Sequence, residues 1–202
     1  MEMTQYYVDK YSTNCYLLKN EETGEMIVID PGADAKGIFA KCEEMGGKVV
    51  AILLTHAHYD HTTGVDELRA LTGAKVYANE AEKASFTDSM IHLGTKVVLP
   101  DAYLTDGQVM TLGGMEFTAI STPGHTPGGM CFYFEPEKML FSGDTLFRAS
   151  VGRTDFKGSS MEALEDGIKN KLFCLPDDTK VLPGHMAATT IAYEKANNPF
   201  VR

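Results

Sequence analysis

None of the four cysteines, Cys15, Cys42, Cys131 and Cys174, forms a CxxC pair. That leaves them outside the usual zinc-ribbon and dithiol spacings. Cys15 and Cys131 lie in apolar, strand-like runs, and Cys42 on the apolar side of a helical pattern. All four are therefore predicted to be buried free thiols. No stretch approaches the roughly 18 consecutive apolar residues of a membrane-spanning helix. The opening residues Met1-Glu2-Met3-Thr4-Gln5 carry neither a basic n-region nor an apolar h-region. The expectation is a cytoplasmic chain, neither exported nor anchored in a membrane. Basic charge is also scarce, since 18 Lys and Arg stand against 28 Asp and Glu, a formal net charge of −10. A general nucleic-acid binder would need a basic face, so the expected partner is a small-molecule substrate, not nucleic acid. No linker rich in Pro, Gly or Ser divides the 202 residues, and no internal repeat is visible. One domain spanning residues 1–202 is the simplest organisation.

What the chain does have is Thr55-His56-Ala57-His58-Tyr59-Asp60-His61, three imidazoles and a carboxylate within seven residues. The run before it, Val49 to Leu54, reads as a buried strand. The cluster thus sits where a strand ends and the chain turns. His56 and His58 are two apart, so in extended backbone both point the same way and can reach one cation. Asp60 and His61, carried round a turn, aim at a second point nearby. Imidazole and carboxylate together suit zinc, iron or manganese better than calcium or magnesium. The plain alternative is a solvated His-rich loop.

Elsewhere the pattern alternates between strands and helices. Residues 4–9, 13–19 and Met26–Ile29 read as strands rich in aromatic and branched side chains. Asp30 closes the third of these, where it either orients a metal ligand or begins a turn. Asp34 can cap a helix to about Met45 with Ile38, Phe39, Cys42 and Met45 on its apolar stripe. A second helix runs from about Thr63 to Thr72, with Val65, Leu68 and Leu71 inward, followed by a short strand at Lys75–Ala78. Residues 79–95 are the least decided stretch; they carry His92, which has no companion at metal-ligand spacing and is expected not to bind a cation. Strands follow at Lys96–Leu99, Val109–Leu112, Met115–Ser121, Met130–Phe134 and Met139–Phe141. A helix from about Ser160 to Leu172 opens on a Ser159/Glu162 capping box. The strand Thr179–Leu182 and a last helix, Thr189–Ala196, complete the order.

Three more ligand-type residues fall at strand ends: His125 and His185, each in Pro-Gly-His, and Asp144 in Ser-Gly-Asp. The adjoining glycines permit tight turns. Five of the six histidines and two aspartates thus share one kind of position. His56-Ala57-His58-Tyr59-Asp60-His61, with His125, Asp144 and His185 in order, resembles the metallo-β-lactamase superfamily, and the likeness covers essentially the whole chain. It implies an α/β fold, an αββα four-layer sandwich of two mixed sheets with helices on the outer faces and metals at one edge. It assigns His56, His58 and His125 to one metal and Asp60, His61 and His185 to another, with Asp144 bridging.

Within that superfamily the chain is similar to the glyoxalase II-like (hydroxyacylglutathione hydrolase-like) enzymes. The likeness rests on Thr13-Asn14-Cys15-Tyr16, Ile29-Asp30-Pro31-Gly32, Thr122-Pro123-Gly124-His125-Thr126-Pro127-Gly128, Ser142-Gly143-Asp144-Thr145-Leu146-Phe147 and Leu182-Pro183-Gly184-His185. The antibiotic-hydrolysing zinc enzymes resemble it less, since the best known use cysteine where Asp144 stands. Full-length glyoxalase II enzymes add a C-terminal helical domain that holds glutathione. Here only residues 186–202 follow His185, so the expectation is a short, single-domain hydrolase.

The resemblance implies a hydroxide held by two divalent metals, zinc first with iron and manganese also suited, attacking a thioester carbonyl. Asp60 is the expected catalytic residue, orienting that hydroxide. Arg153, in Gly152-Arg153-Thr154-Asp155, either holds an anionic substrate group or forms a surface salt bridge. Two other activities belong to similar proteins: a lactone or ester hydrolase on the same centre, and a persulfide dioxygenase with one iron held by two His and one Asp.

Overall fold

The computed structural model describes residues 1–8, 10–87 and 99–201. His92 and the strand expected at Lys96–Leu99 lie outside the described residues, apart from Leu99 itself.

Among the described residues, two six-stranded sheets face each other. The first has the order β1 (Glu2–Val8), β2 (Thr13–Lys19), β3 (Glu25–Ile29), β4 (Lys48–Leu53), β5 (Lys75–Asn79) and β6 (Ala102–Leu104). Its β1/β2 and β2/β3 pairs are antiparallel, and β3, β4, β5 and β6 run parallel. The second takes the order β14 (Thr189–Thr190), β13 (Lys180–Pro183), β10 (Met139–Gly143), β9 (Met130–Phe134), β8 (Met115–Ser121) and β7 (Val109–Leu112). There β10 and β13 are parallel and the other pairs antiparallel. A small ribbon of β11 (Leu146–Phe147) and β12 (Ser150–Val151) stands apart.

Alternation along the strands builds three apolar layers. Tyr16, Leu18, Ile27, Ile29, Leu53, Phe117, Phe132, Phe134 and Phe141 fill the space between the sheets. The opposite faces carry Leu17, Val28 and Ile52 against α1 (Ala35–Glu44) and α3 (Val65–Thr72). On the other side, Cys131, Tyr133 and Leu140 pack with Leu164 and Ile168 of α4 (Met161–Asn170) and Ile191 of α5 (Ile191–Asn197). Helix, sheet, sheet and helix are the four layers expected from the sequence. A single helical turn, α2 (Tyr59–Thr62), follows β4.

Some local expectations change. The cap of α4 is Ser160, whose Oγ accepts from Ala163 N, and the neighbouring Ser159 instead donates to the His125 carbonyl. Leu71 is exposed although Val65 and Leu68 are buried. A spacing of three drifts by about 60° per step on a 3.6-residue helix, which carries Leu71 off the buried face. Cys15, Cys42 and Cys131 are buried thiols, but Cys174, at the end of the 3₁₀ turn Leu172–Cys174, is exposed. The last helix begins later than its sequence suggests, because Thr189 and Thr190 pair with β13 before Thr190 caps α5.

This topology collects strand ends. β8 and β10 run in the same direction, both being antiparallel to β9, and β13 is parallel to β10. The C-terminal ends of β8, β10 and β13 therefore share one edge. The ends of β3 and β4 meet them across the sandwich, where Met130 N donates to Thr55 O at 2.9 Å. Asn14 N donates to Gly184 O at 2.7 Å, and the Tyr16 hydroxyl to Pro183 O at 2.7 Å. Loops at such an edge are where side chains from several strands converge.

Candidate metal centre

All seven predicted side chains meet at that edge. Among the described residues, His56/His58/His125 and Asp60/His61/His185 each bring three ligand-type atoms within 4.8 Å of one another. Asp144 lies between the two groups. Its Oδ1 is 3.4 Å from His61 Nε2, and its Oδ2 is 3.5 Å from His125 Nε2 and 3.6 Å from His185 Nε2. Asp60 Oδ2 stands 3.2 Å from His185 Nε2 and 3.7 Å from His61 Nε2.

The outward-facing nitrogens explain the ring orientations. Asp30 Oδ2 accepts from the Thr55 hydroxyl at 2.6 Å, and that hydroxyl is 3.0 Å from His56 Nδ1. With its proton given to Asp30, Thr55 Oγ can only accept, so His56 carries its proton on Nδ1. His61 Nδ1 donates to Asp30 Oδ2 at 2.9 Å, His125 Nδ1 to Arg153 O at 2.8 Å and His185 Nδ1 to Ser12 O at 2.9 Å. In their neutral form, four rings thus keep an Nε2 lone pair facing inward. His58 differs by turning Nδ1 inward, 2.9 Å from His125 Nε2.

Among the described residues, three of the inward atoms, His56 Nε2, His61 Nε2 and Asp144 Oδ1, are buried without a hydrogen-bond partner. Buried polar atoms are rarely left so. A cation gives all three a partner at once, and the mixed nitrogen and carboxylate set is what zinc or iron takes. Room is kept for it. A Cβ on Gly184 would lie 2.5 Å from Asp144 Oδ1 and 2.6 Å from His61 Cε1. Gly124 and Gly143 have positive φ, as the turn argument requires, but Gly184 does not; its glycine is set by this close approach.

Charge is arranged unevenly across the two groups. Burial, then the neighbouring imidazoles, hold His56 well below the ordinary histidine value. Burial and His125 lower His58 to about 4. Burial also opposes charge on His61, but Asp144 and Asp30 outweigh it and raise that ring well above its ordinary value. For His185, burial is outweighed by the hydrogen bond it donates to Asp60 and by Asp144, and the shift is again upward. Both carboxylates, Asp60 and Asp144, are held below their usual range by the facing histidines in spite of burial.

Arg153 has two parts with different surroundings. Its carbonyl holds His125, as above. Its guanidinium is exposed, pairs with Asp155 at 2.8–2.9 Å and lies 4.6 Å from the centre of the Phe156 ring. Phe156 escaped the sequence reading. It sits edge-on to His58 at 5.1 Å and to His125 at 5.8 Å, with 42% of its surface exposed. Its only signal is position, directly after the Gly152–Asp155 stretch.

A four-layer α/β sandwich with this cluster at one edge defines a metal-binding hydrolase of the β-lactamase-like type. The chain belongs to the metallo-β-lactamase superfamily, whose family model matches residues 8–185. It is 40% identical over 198 residues to a probable metallo-hydrolase of Streptococcus pyogenes, covering 93% of this chain and 84% of that one. It is 36% identical over 203 residues to the hydroxyacylglutathione hydrolase GloC of Haemophilus influenzae, covering 96% and 95%. Among solved structures it is similar to BLEG-1, described as a B3 metallo-β-lactamase, with a TM-score of 0.93, 36% identity and 99% of both chains covered. TTHA1623 in a di-iron-bound form gives a TM-score of 0.86 at 35% identity, covering 98% of this chain and 99% of that one. ETHE1 from Myxococcus xanthus gives 0.87 at 29%, covering 100% and 84%. No helix among the described residues is long and apolar enough to cross a membrane.

Proposed function

We propose that this metallo-hydrolase acts on thioesters of the hydroxyacylglutathione type, using two divalent cations, zinc first. His56, His58 and His125 would hold one, Asp60, His61 and His185 the other, with Asp144 between them. The observation that carries this reading is the four inward Nε2 positions of His56, His61, His125 and His185, each fixed by a hydrogen bond on the far side of its ring. The 36% identity to GloC across nearly the whole chain supports the thioester as substrate. When bound, such a pair supplies Lewis acidity towards an acyl oxygen and ionises water near neutral pH.

The chain's own residues do the rest. Asp60, its carboxylate kept ionised by His185 and His61, accepts a hydrogen bond from the attacking water and orients it. Phe156 shields the His58 and His125 side of the cleft from solvent. Arg153 offers a guanidinium on the rim for a substrate carboxylate. Its pair with Asp155 is exposed on both sides and therefore easily exchanged. Arg153→Ala should raise KM for an anionic thioester about tenfold or less, with kcat unchanged; unchanged KM would remove Arg153 from substrate binding. The substrate is a small molecule of the cytoplasm on this reading.

A second reading is hydrolysis of a lactone or other ester on the same centre, or of a cyclic amide, the last favoured by the likeness to BLEG-1. The mono-iron dioxygenases that the motif also resembles need only three ligands, and the complete Asp60, His61 and His185 set argues against them. Metal analysis with an assay panel separates these. Two cations per chain and turnover of S-lactoylglutathione, abolished by chelation and restored by zinc, is the expected result. Turnover confined to lactones or a cephalosporin would transfer the assignment to the second reading, and one iron with oxygen uptake on glutathione persulfide would overturn both.

Acid should strip the two groups unequally. Protons and cations compete for the same lone pairs. His61 and His185 have raised values, so falling pH protonates them first, whereas His58 stays neutral to about 4. The Asp60/His61/His185 group should therefore lose its cation at the higher pH. Chelator-competition titrations between about pH 3 and pH 8 would read two separate losses in that order, and the reverse order would contradict the assignment.

A further inference from the structure

Glu82 is a fully buried carboxylate that the proposed chemistry does not use. It ends the short 3₁₀ turn Glu80–Glu82, which follows β5 directly and is capped by Asn79 accepting from Ala81 N. Its Oε1 accepts from Ala57 N at 3.1 Å, and its Oε2 from Gly128 N at 2.7 Å. Ala57 stands between His56 and His58, and Gly128 follows His125 by three residues. One carboxylate thus ties the loop after β4 in the first sheet to the loop after β8 in the second.

The contact is built on both sides. A Cβ on Gly128 would fall 2.3 Å from Glu82 N and 2.6 Å from Glu82 Oε2, so this approach needs glycine there. Sheet order supplies a parallel. β4 lies between β3 and β5. From the β3 side, Asp30 accepts from Thr55 N at 2.8 Å and holds His61. From the β5 side, Glu82 accepts from Ala57 N. The His-bearing loop is pinned by a buried carboxylate on each flank. Burying a carboxylate is costly, and an apolar side chain would fill the same space without spanning two loops.

We propose that Glu82 is a positioning residue for the His56/His58/His125 group, setting the distance between the His56–His58 loop and His125 so that three imidazoles converge on one cation. This rests on the metal-binding reading above. Asp30 would do the corresponding work for His61.

The test is a cation titration of the full chain, zinc against a chromophoric chelator, with His58→Ala and His185→Ala identifying which step belongs to which group. Glu82→Gln keeps the shape but turns an NH₂ towards one of the two amides, losing a link. It should weaken the His56/His58/His125 step roughly tenfold or more, the size seen when groups behind metal ligands are changed. The other step should stay at its wild-type value, and Glu82→Asp, too short to span both loops, should not rescue. Two unaltered steps would overturn the proposal. So would equal weakening of both steps in proportion to a lowered melting temperature, which is what a merely structural carboxylate gives. Amide exchange in the wild-type chain provides a reading independent of variant folding. Ala57 and Gly128 should be strongly protected before any cation is added, and exchange at the rate of exposed loop amides would overturn the proposal. A wild-type chain that binds no zinc at the histidines would instead sink the functional reading itself.

Discussion

Replacing Asp144 with alanine should abolish cation binding and activity together. Turnover should fall by about a hundredfold to a thousandfold, the scale of losing a central electrostatic group in a dry site. The argument is geometric. Among the described residues, Asp144 is the side chain whose two oxygens face both triads, Oδ1 towards His61 and Oδ2 towards His125 and His185. Without it, five imidazoles and Asp60 remain, and the positive charge of two cations is compensated by one carboxylate fewer. Asp144→Asn isolates that charge term, because shape is kept while an NH₂ replaces one oxygen. It too should lose cation affinity, with a melting temperature in the metal-free state close to that of Asp144→Ala. Metal content per chain, measured beside S-lactoylglutathione turnover, checks the prediction; an alanine variant with full activity removes Asp144 from the centre.

The second large effect is expected at Asp30. Its carboxylate, 1% exposed, accepts from Thr55 N at 2.8 Å, the Thr55 hydroxyl at 2.6 Å and His61 Nδ1 at 2.9 Å. Asp30→Ala strands three buried donors, and the fold should lose about 3–5 kcal/mol. Asp30→Asn is the more informative change. Its carbonyl can still accept from Thr55 N, but its NH₂ then faces the Thr55 hydroxyl and His61. His61 is driven to carry its proton on Nε2, and the inward lone pair disappears. The asparagine variant should therefore keep more stability than the alanine variant yet bind no cation at the Asp60/His61/His185 group. Denaturant unfolding and cation titration read the two effects separately. Equal losses of stability in both variants, or a retained cation in Asp30→Asn, would contradict the role given to Asp30.

Much of this arrangement was legible before any coordinates. Ligand-type residues at strand ends, each beside a turn, announced the seven side chains, because layered α/β sheets gather strand ends at an edge. Apolar alternation likewise announced the layers: Met130, Phe132 and Phe134 against Cys131 and Tyr133 are two faces of one strand. The residues behind the ligands were harder to see. Glu82 lies 25 positions from Ala57 and 46 from Gly128, and nothing local distinguishes it from the exposed Glu80 in the same turn. Arg153 was visible as a cation, yet the part of it that holds His125 is a backbone carbonyl, which any residue supplies. Spacing to Glu162 pointed to Ser159 as the cap; packing gave the helix to Ser160 and sent the Ser159 hydroxyl to the His125 carbonyl. Phe156 is a surface aromatic in sequence and a wall of the cleft only once β8 and the loop after β12 come together.

The most direct test of the central claim is anomalous diffraction from crystals of the full chain grown with zinc. Two peaks are expected, one enclosed by His56, His58 and His125 and the other by Asp60, His61 and His185, with an oxygen of Asp144 bonded to each. Peaks elsewhere on the molecule, or a pair of cations that Asp144 does not touch, would contradict it.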